Sequence, residues 1–237
     1  MRYLIALPLV LVFLVSCATT GGRIGRDEMG HRPGPKGFRA VVIDAGHGGK
    51  DRGAYSPHTG AKEKDLALDM ARRLKRELPG WQTVLMRDGD VFVDLDDRVD
   101  FANHHGNAIL VSLHFNDGPS GISGPETYYW RVDSYSLARR IQQHLAAVVP
   151  GESGNRGLVR RRLRLTRNPD IPCVLVECGY LSNAAEAHRI ADAGYRQALA
   201  DAIADAIKEQ SAHGDAGMGP LPPPLNAPPS RPTDARE

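Results

Sequence analysis

Cysteine is scarce in this chain, with 3 in 237 residues, and neither sign of charge prevails: Lys and Arg total 30 against 28 for Asp and Glu. A formal net charge of +2 gives no electrostatic ground for nucleic-acid binding, which depends on neutralising phosphates. No internal repeat is present. No apolar run reaches the ~20 residues of a membrane-spanning helix, since the longest one, residues 4–15, is shorter. Nucleotide motifs are missing too. Gly46-His47-Gly48-Gly49-Lys50-Asp51 lacks the third glycine of a dinucleotide fingerprint, and Asp51 stands where a phosphate loop needs Ser or Thr. The H-E-x-x-H spacing of a zinc helix is also absent.

What the first residues do contain is a secretion signal. Arg2 gives a short positive region, residues 4–15 an apolar core of the right length, and Leu14-Val15-Ser16-Cys17 closes it. That ending resembles the bacterial lipobox, which implies removal of residues 1–16 and attachment to a membrane through lipid on Cys17. Ala18, where Gram-negative sorting would place Asp to retain a lipoprotein at the inner membrane, suggests a periplasmic protein held at the outer membrane. The alternative is an ordinary signal peptide with an incidental cysteine. Residues 17–37, rich in Gly and Pro, then form a flexible tether. Residues 38–212 form one domain, and residues 213–237, rich in Pro from Pro220 to Pro232, a disordered tail. Cys173 and Cys178 lie five residues apart in an apparent strand, about 16 Å when extended and out of disulfide reach. Both read as small buried hydrophobes.

Within the domain, strand and helix patterns alternate. The β-branched run Val41-Val42-Ile43 opens it, and residues 63–78 place Leu66, Met70, Leu74 and Leu78 at helical spacing before Pro79-Gly80. Residues 81–86 read as a strand, 95–105 as a helix, 107–113 and 126–130 as strands, and 134–149 as a helix. Residues 158–165 read as a strand with Arg160, Arg162 and Arg164 on one solvated face, 173–177 as a short buried strand, and 184–210 as one or two closing helices. A composition of 41% hydrophobic and 24% charged residues suits such a globular unit. The fold class is therefore α/β, a single domain with a mostly parallel twisted sheet flanked by helices, similar to phosphorylase/hydrolase-like folds.

Four polar residues occupy telling places. His47 follows the first strand and His114 the third, at the carboxyl edge where open α/β sheets collect their ligands. Glu177 follows the apolar run Val174-Leu175-Val176, where a carboxylate costs several kcal/mol unless paired. Glu63 opens the first helix, a position that an acid also favours for purely local reasons. Two imidazoles and a carboxylate are the usual protein ligands of a catalytic zinc, and a further glutamate supplies its proton acceptor. Asp44 is a candidate to orient an imidazole, and Asn116 to reach substrate.

The blocks VVIDAGHGGKDRGA, EKDLALDMARRLK, DVFVDLDDRVDFAN, SLHFND, GPETYY and IPCVLVECGYLSN, in this order, resemble the zinc-dependent N-acetylmuramoyl-L-alanine amidases of the type 3 family. The resemblance spans about residues 38–212. It implies that His47, Glu63 and His114 bind Zn2+ and that Glu177 is the catalytic glutamate. The reaction would be hydrolysis of the amide between N-acetylmuramic acid and L-alanine in peptidoglycan, releasing stem peptides. Glu126 matches a glutamate of the family whose role the sequence leaves open. Some members carry an inserted segment over the zinc. Here residues 130–136 leave no room for one, so we expect a monomer needing no obligatory activator. Other outcomes of the same residues are a zinc carboxypeptidase or endopeptidase acting within the stem peptide, and an inactive wall-binding lipoprotein. The arginines between Arg160 and Arg167 are either a solvated face or a site for stem-peptide carboxylates.

Overall fold

The computed structural model describes residues 33–151, 154–223 and 225. The expected signal peptide, Cys17, most of the tether and the end of the proline-rich tail lie outside them. Among the described residues, no helix is long and apolar enough to cross a membrane.

β1 (Ala40–Ala45) is buried along its whole length, which is why its sequence shows no alternation. It sits between β2 (Gln82–Leu85) and β3 (Ala108–Asn116), and the six strands order as β2-β1-β3-β6-β4-β5. β6 (Cys173–Tyr180) continues the parallel set beside β3. β4 (Glu126–Tyr129) runs antiparallel to β6, and β5 (Gly157–Arg160) runs parallel to β4. The expected α/β domain with a mostly parallel sheet is thus the observed one.

Period-two alternation decides which side chains go to which face. Val41, Ile43, Val111, Leu113, Val174 and Val176 face the larger core with α1 (Glu63–Glu77), α3 (Tyr135–Val148) and α6 (Ala193–His213). α1 buries Leu66, Ala67, Met70, Ala71 and Leu74, the three- and four-residue spacing that makes one apolar stripe. Each large side chain buried this way contributes about 1.5–3 kcal/mol. The opposite face carries Val42, Leu110 and Cys173 under the shorter helices α2 (Leu95–Asn103) and α4 (Arg164–Arg167). Cys173 and Cys178 are free and buried, and their odd separation puts them on opposite faces of β6. A 3-10 turn, Val132–Ser134, joins β4 to α3, and α5 (Ala184–Ala191) precedes α6.

Three expectations need correction. β3 does not stop at Leu113 but runs on through His114 to Asn116, and β6 runs past Glu177 to Tyr180; His114 and Glu177 pair with each other, and Glu177 pairs also with Glu126. The strand expected over residues 158–165 ends at Arg160. Thr166 Oγ1 accepts from the Leu163 amide at 3.0 Å and donates to the Arg161 carbonyl at 2.7 Å, turning the chain into α4. Arg164 and Arg167 are consequently buried instead of sharing a solvated face with Arg160. Finally, the packed body reaches past residues 38 and 212. Gly34 and Met218 are buried, and Asp215 accepts from the Gly34 amide at 2.9 Å and from the Ser136 hydroxyl. The Gly37 amide donates to Ser211 at 2.9 Å, so the chain enters and leaves at the amino edge of the sheet, opposite the end of β1.

Asp215→Ala removes the acceptor of two buried donors and is expected to cost about 1–2 kcal/mol. The denaturation midpoint should fall while the metal content of the folded protein stays the same; an unchanged midpoint would mean that residues 213–218 contribute nothing to the body.

Candidate metal centre and active site

β1 ends in a turn that only a particular set of neighbours tolerates. His47 has φ +59°, the left-handed region that costs a non-glycine residue about 1–2 kcal/mol. Two buried arginines hold it there. Arg87 donates to the carbonyls of Ala45 at 2.8 Å and Gly46 at 2.7 Å, and Arg98 to those of Ala45 at 2.9 Å and His47 at 2.7 Å. Arg98 also pairs with Asp44, which accepts the Ser112 hydroxyl at 2.6 Å. Asp44 therefore does not orient an imidazole, as its nearness to His47 in sequence had suggested. Burial, and then the neighbouring charge of Arg98, lower the pKa of Arg87.

The residue that orients His47 is Asp51, whose Oδ2 lies 2.8 Å from Nδ1. The other ring nitrogen, Nε2, lies 3.0 Å from Oε1 of Glu63, and Nδ1 of His114 lies 2.9 Å from that same oxygen. Oε2 of Glu63 accepts the Ala54 amide at 2.7 Å, and Oε1 that of Phe115 at 3.1 Å. Burial works against a charged imidazole at His47, but the hydrogen bonds and charges of Glu63 and Asp51 outweigh it and raise its pKa to about 9. Burial is likewise outweighed at Glu63, where His114 and His47 hold the carboxyl well below the usual range.

One ligand atom from each of His47, Glu63 and His114 falls within 4.8 Å of the others. Two imidazole nitrogens and one carboxylate oxygen, with a carboxylate behind one imidazole, fit a divalent cation of the zinc kind. The glycines are cut to the same fit. A Cβ on Gly46 would lie 2.3 Å from the His114 ring, and one on Gly53, at φ +65°, would lie 2.4 Å from Glu63 Oε2 and 2.6 Å from the His47 ring. A cavity of about 240 Å³ opens on His47 and His114, bounded by Asp44, Asp51, Phe92, Asp94 and Leu165 among others.

Glu177 stands directly beside this group. It is the register partner of His114 in β3 and of Glu126 in β4, so the three side chains form a row across one face of the sheet. Glu126 Oε2 accepts the hydroxyls of Tyr128 at 2.7 Å and Tyr180 at 3.0 Å. Asn116, expected to reach substrate, instead turns its amide to the Tyr180 hydroxyl at 3.2 Å. Burial, together with Glu126, pushes both phenols up, Tyr180 to about 12, so they remain donors. The sequence thus led to His47, Glu63, His114 and Glu177, which the fold gathers. It did not lead to Asp51, Arg87, Arg98 or the two tyrosines. The i,i+4 spacing of His47 and Asp51, and an arginine just after the second strand, were the available signals.

Comparison with known proteins identifies the family. The family model described as N-acetylmuramoyl-L-alanine amidase (Amidase_3) matches residues 41–209. The "Probable cell wall amidase LytH" of Staphylococcus epidermidis is 36% identical over 175 residues, 72% of this chain and 58% of the relative, so this chain spans little more than half its length. The catalytic domain of CwlV, an N-acetylmuramoyl-L-alanine amidase from Bacillus (Paenibacillus) polymyxa var. colistinus, superposes with a TM-score of 0.68 and 36% identity, covering 73% of this chain and 97% of that one. The CwlD amidase from Clostridioides difficile, solved in complex with the GerS lipoprotein, gives a TM-score of 0.68 at 30% identity, over 72% of this chain and 97% of that one. With well over half of its residues matched by that model, this chain belongs to the N-acetylmuramoyl-L-alanine amidase (Amidase_3) family.

Proposed function

We propose that this protein is a zinc-dependent peptidoglycan amidase that cleaves the bond between N-acetylmuramic acid and L-alanine and releases stem peptides. The observation that carries the reading is the Glu63 carboxylate held between two imidazoles with Glu177 next in the row. His47, Glu63 and His114 hold the metal. When bound, zinc would polarise the scissile carbonyl and lower the pKa of a water. Glu177 takes the proton of the attacking water and delivers it to the alanine nitrogen as the C–N bond breaks. Asp51 keeps the His47 ring turned toward Glu63, and the arginines keep its backbone in place. Hydrolysis within the stem peptide needs the same groups. Product analysis separates the two, because amidase action leaves a free amine on L-alanine and intact glycan strands.

The reading extends to the cell. Lipid on Cys17 holds the protein to a membrane, the outer one, with the enzyme in the periplasm acting on the wall as a monomer. The three-residue 3-10 turn after β4 carries no insertion that could mask the metal, which supports a site active without a partner. The relative CwlD was solved with a lipoprotein partner, so the purified domain should be assayed alone and with cell-envelope extract.

Glu177→Gln is expected to lower stem-peptide release by ~100-fold or more, the scale of general acid–base catalysis, with zinc content unchanged. Release at the wild-type rate would remove Glu177 from the reaction. Asp51→Ala frees the back of the His47 ring and should weaken zinc affinity by about 10–100-fold, measured by competition with a chromogenic chelator; wild-type affinity would show that Asp51 does not support the ligand.

A further inference from the structure

Two arginines stand apart from the other basic residues of β5 and α4. Arg160 is taken up by the Trp130 carbonyl at 2.9 Å, and Arg164 is buried against Asp96. Arg156 and Arg161 are exposed. The Arg156 guanidinium lies 5.5 Å from the centre of the Tyr180 ring, and that of Arg161 lies 5.8 Å from the centre of the Tyr128 ring. Among the described residues, neither guanidinium donates a hydrogen bond; Arg156 Nε faces Glu126 Oε1 at 3.8 Å, an ion pair beyond hydrogen-bond length. The rings beneath them are the two whose hydroxyls meet at Glu126, the register partner of Glu177. The cations are therefore one side chain beyond the row His114, Glu177, Glu126.

The other flank of the metal group has the opposite character. Its cavity is bounded by three carboxylates, Asp44, Asp51 and Asp94, against one guanidinium, that of Arg98, which Asp44 already takes up, and by the apolar Phe92, Val93 and Leu165, so its balance is acidic. A carboxylate placed there would be repelled, whereas an uncharged sugar ring would not. A substrate whose two arms differ in charge is thereby oriented across the site. We propose that Arg156 and Arg161 form a carboxylate subsite for the peptide arm of the substrate. Stacked on Tyr180 and Tyr128, they bind the free α-carboxylate of the residue that follows L-alanine, and the sugar arm lies on the Phe92 side. This rests on the amidase reading and adds direction and specificity to it. A guanidinium already stacked on an aromatic face keeps its in-plane N–H donors for a carboxylate, and ordering it costs less rotamer entropy than ordering a free side chain.

The probes are two muramoyl peptides that differ at one group, N-acetylmuramoyl-L-alanyl-D-glutamate and its carboxamide counterpart ending in D-isoglutamine. The zinc-loaded wild type should prefer the carboxylate by about tenfold in kcat/KM at low salt, mostly through KM, and less at high salt because the pair is exposed. Arg156→Ala with Arg161→Ala should bring the ratio to about one, and Arg156→Glu should invert it. Lys208→Ala, a change at an exposed lysine of α6 that pairs with Asp205, should keep the wild-type ratio. Equal cleavage of both probes by the wild type, or a preference that survives the double substitution, overturns the subsite and leaves the amidase reading standing. Cleavage of neither probe at the lactyl amide overturns the amidase reading and the subsite with it.

Discussion

Three consecutive carbonyls at the end of β1, those of Ala45, Gly46 and His47, are held by two buried guanidinium groups. A central parallel strand that leaves its sheet exposes such acceptors at a water-poor edge, where an unmet one costs about 1–3 kcal/mol. Arg87 and Arg98 meet them from different elements, so the turn, the start of α2 and the end of β2 become one unit. Their positive charge would be costly alone. It is balanced by Asp44 at the sheet, while Asp90 and Lys64 pin the adjoining loop at 2.6 Å. The left-handed backbone of His47 persists because this unit leaves it no alternative.

The sequence made the candidate metal residues legible through residue type at position: imidazoles at the carboxyl ends of apolar runs and an acid at the first turn of a helix. Their supports were not legible, because they depend on contacts that no local rule reports. Asp44 is three residues from His47 and yet pairs with Arg98, 54 positions away. Asp51 reaches the ring only because the intervening glycines let the chain fold back, with Gly48 and Asp51 exchanging backbone hydrogen bonds at 2.9 and 3.1 Å. Strand ends were misjudged for a related reason. β3 was taken to end at Leu113 and β6 at Glu177, but the pairing of His114 with Glu177 and of Asn116 with Tyr180 carries both strands further. Alternation placed Arg160, Arg162 and Arg164 on one face, and a single hydroxyl, that of Thr166, redirected the chain before Arg164.

The two flanks of the centre differ in how they are built. On the β1 side, rigidity comes from backbone acceptors and close glycine contacts, so small changes there move the ligands themselves. On the β4 side, side chains meet side chains: tyrosines on Glu126, arginines on tyrosines. Substitutions on that side are absorbed by rotamers. Chemistry thus rests on the stiff half, and selectivity among substrates can vary on the adaptable half.

Gly34, Ser136 and Asp215 tie the first described residues to the segment after α6, and both lie at the amino edge of the sheet. A fusion partner joined next to Gly34 or Met218 would therefore sit at the back of the molecule. The candidate metal centre opens at the opposite edge, so an attachment made through either end of the body leaves its mouth uncovered.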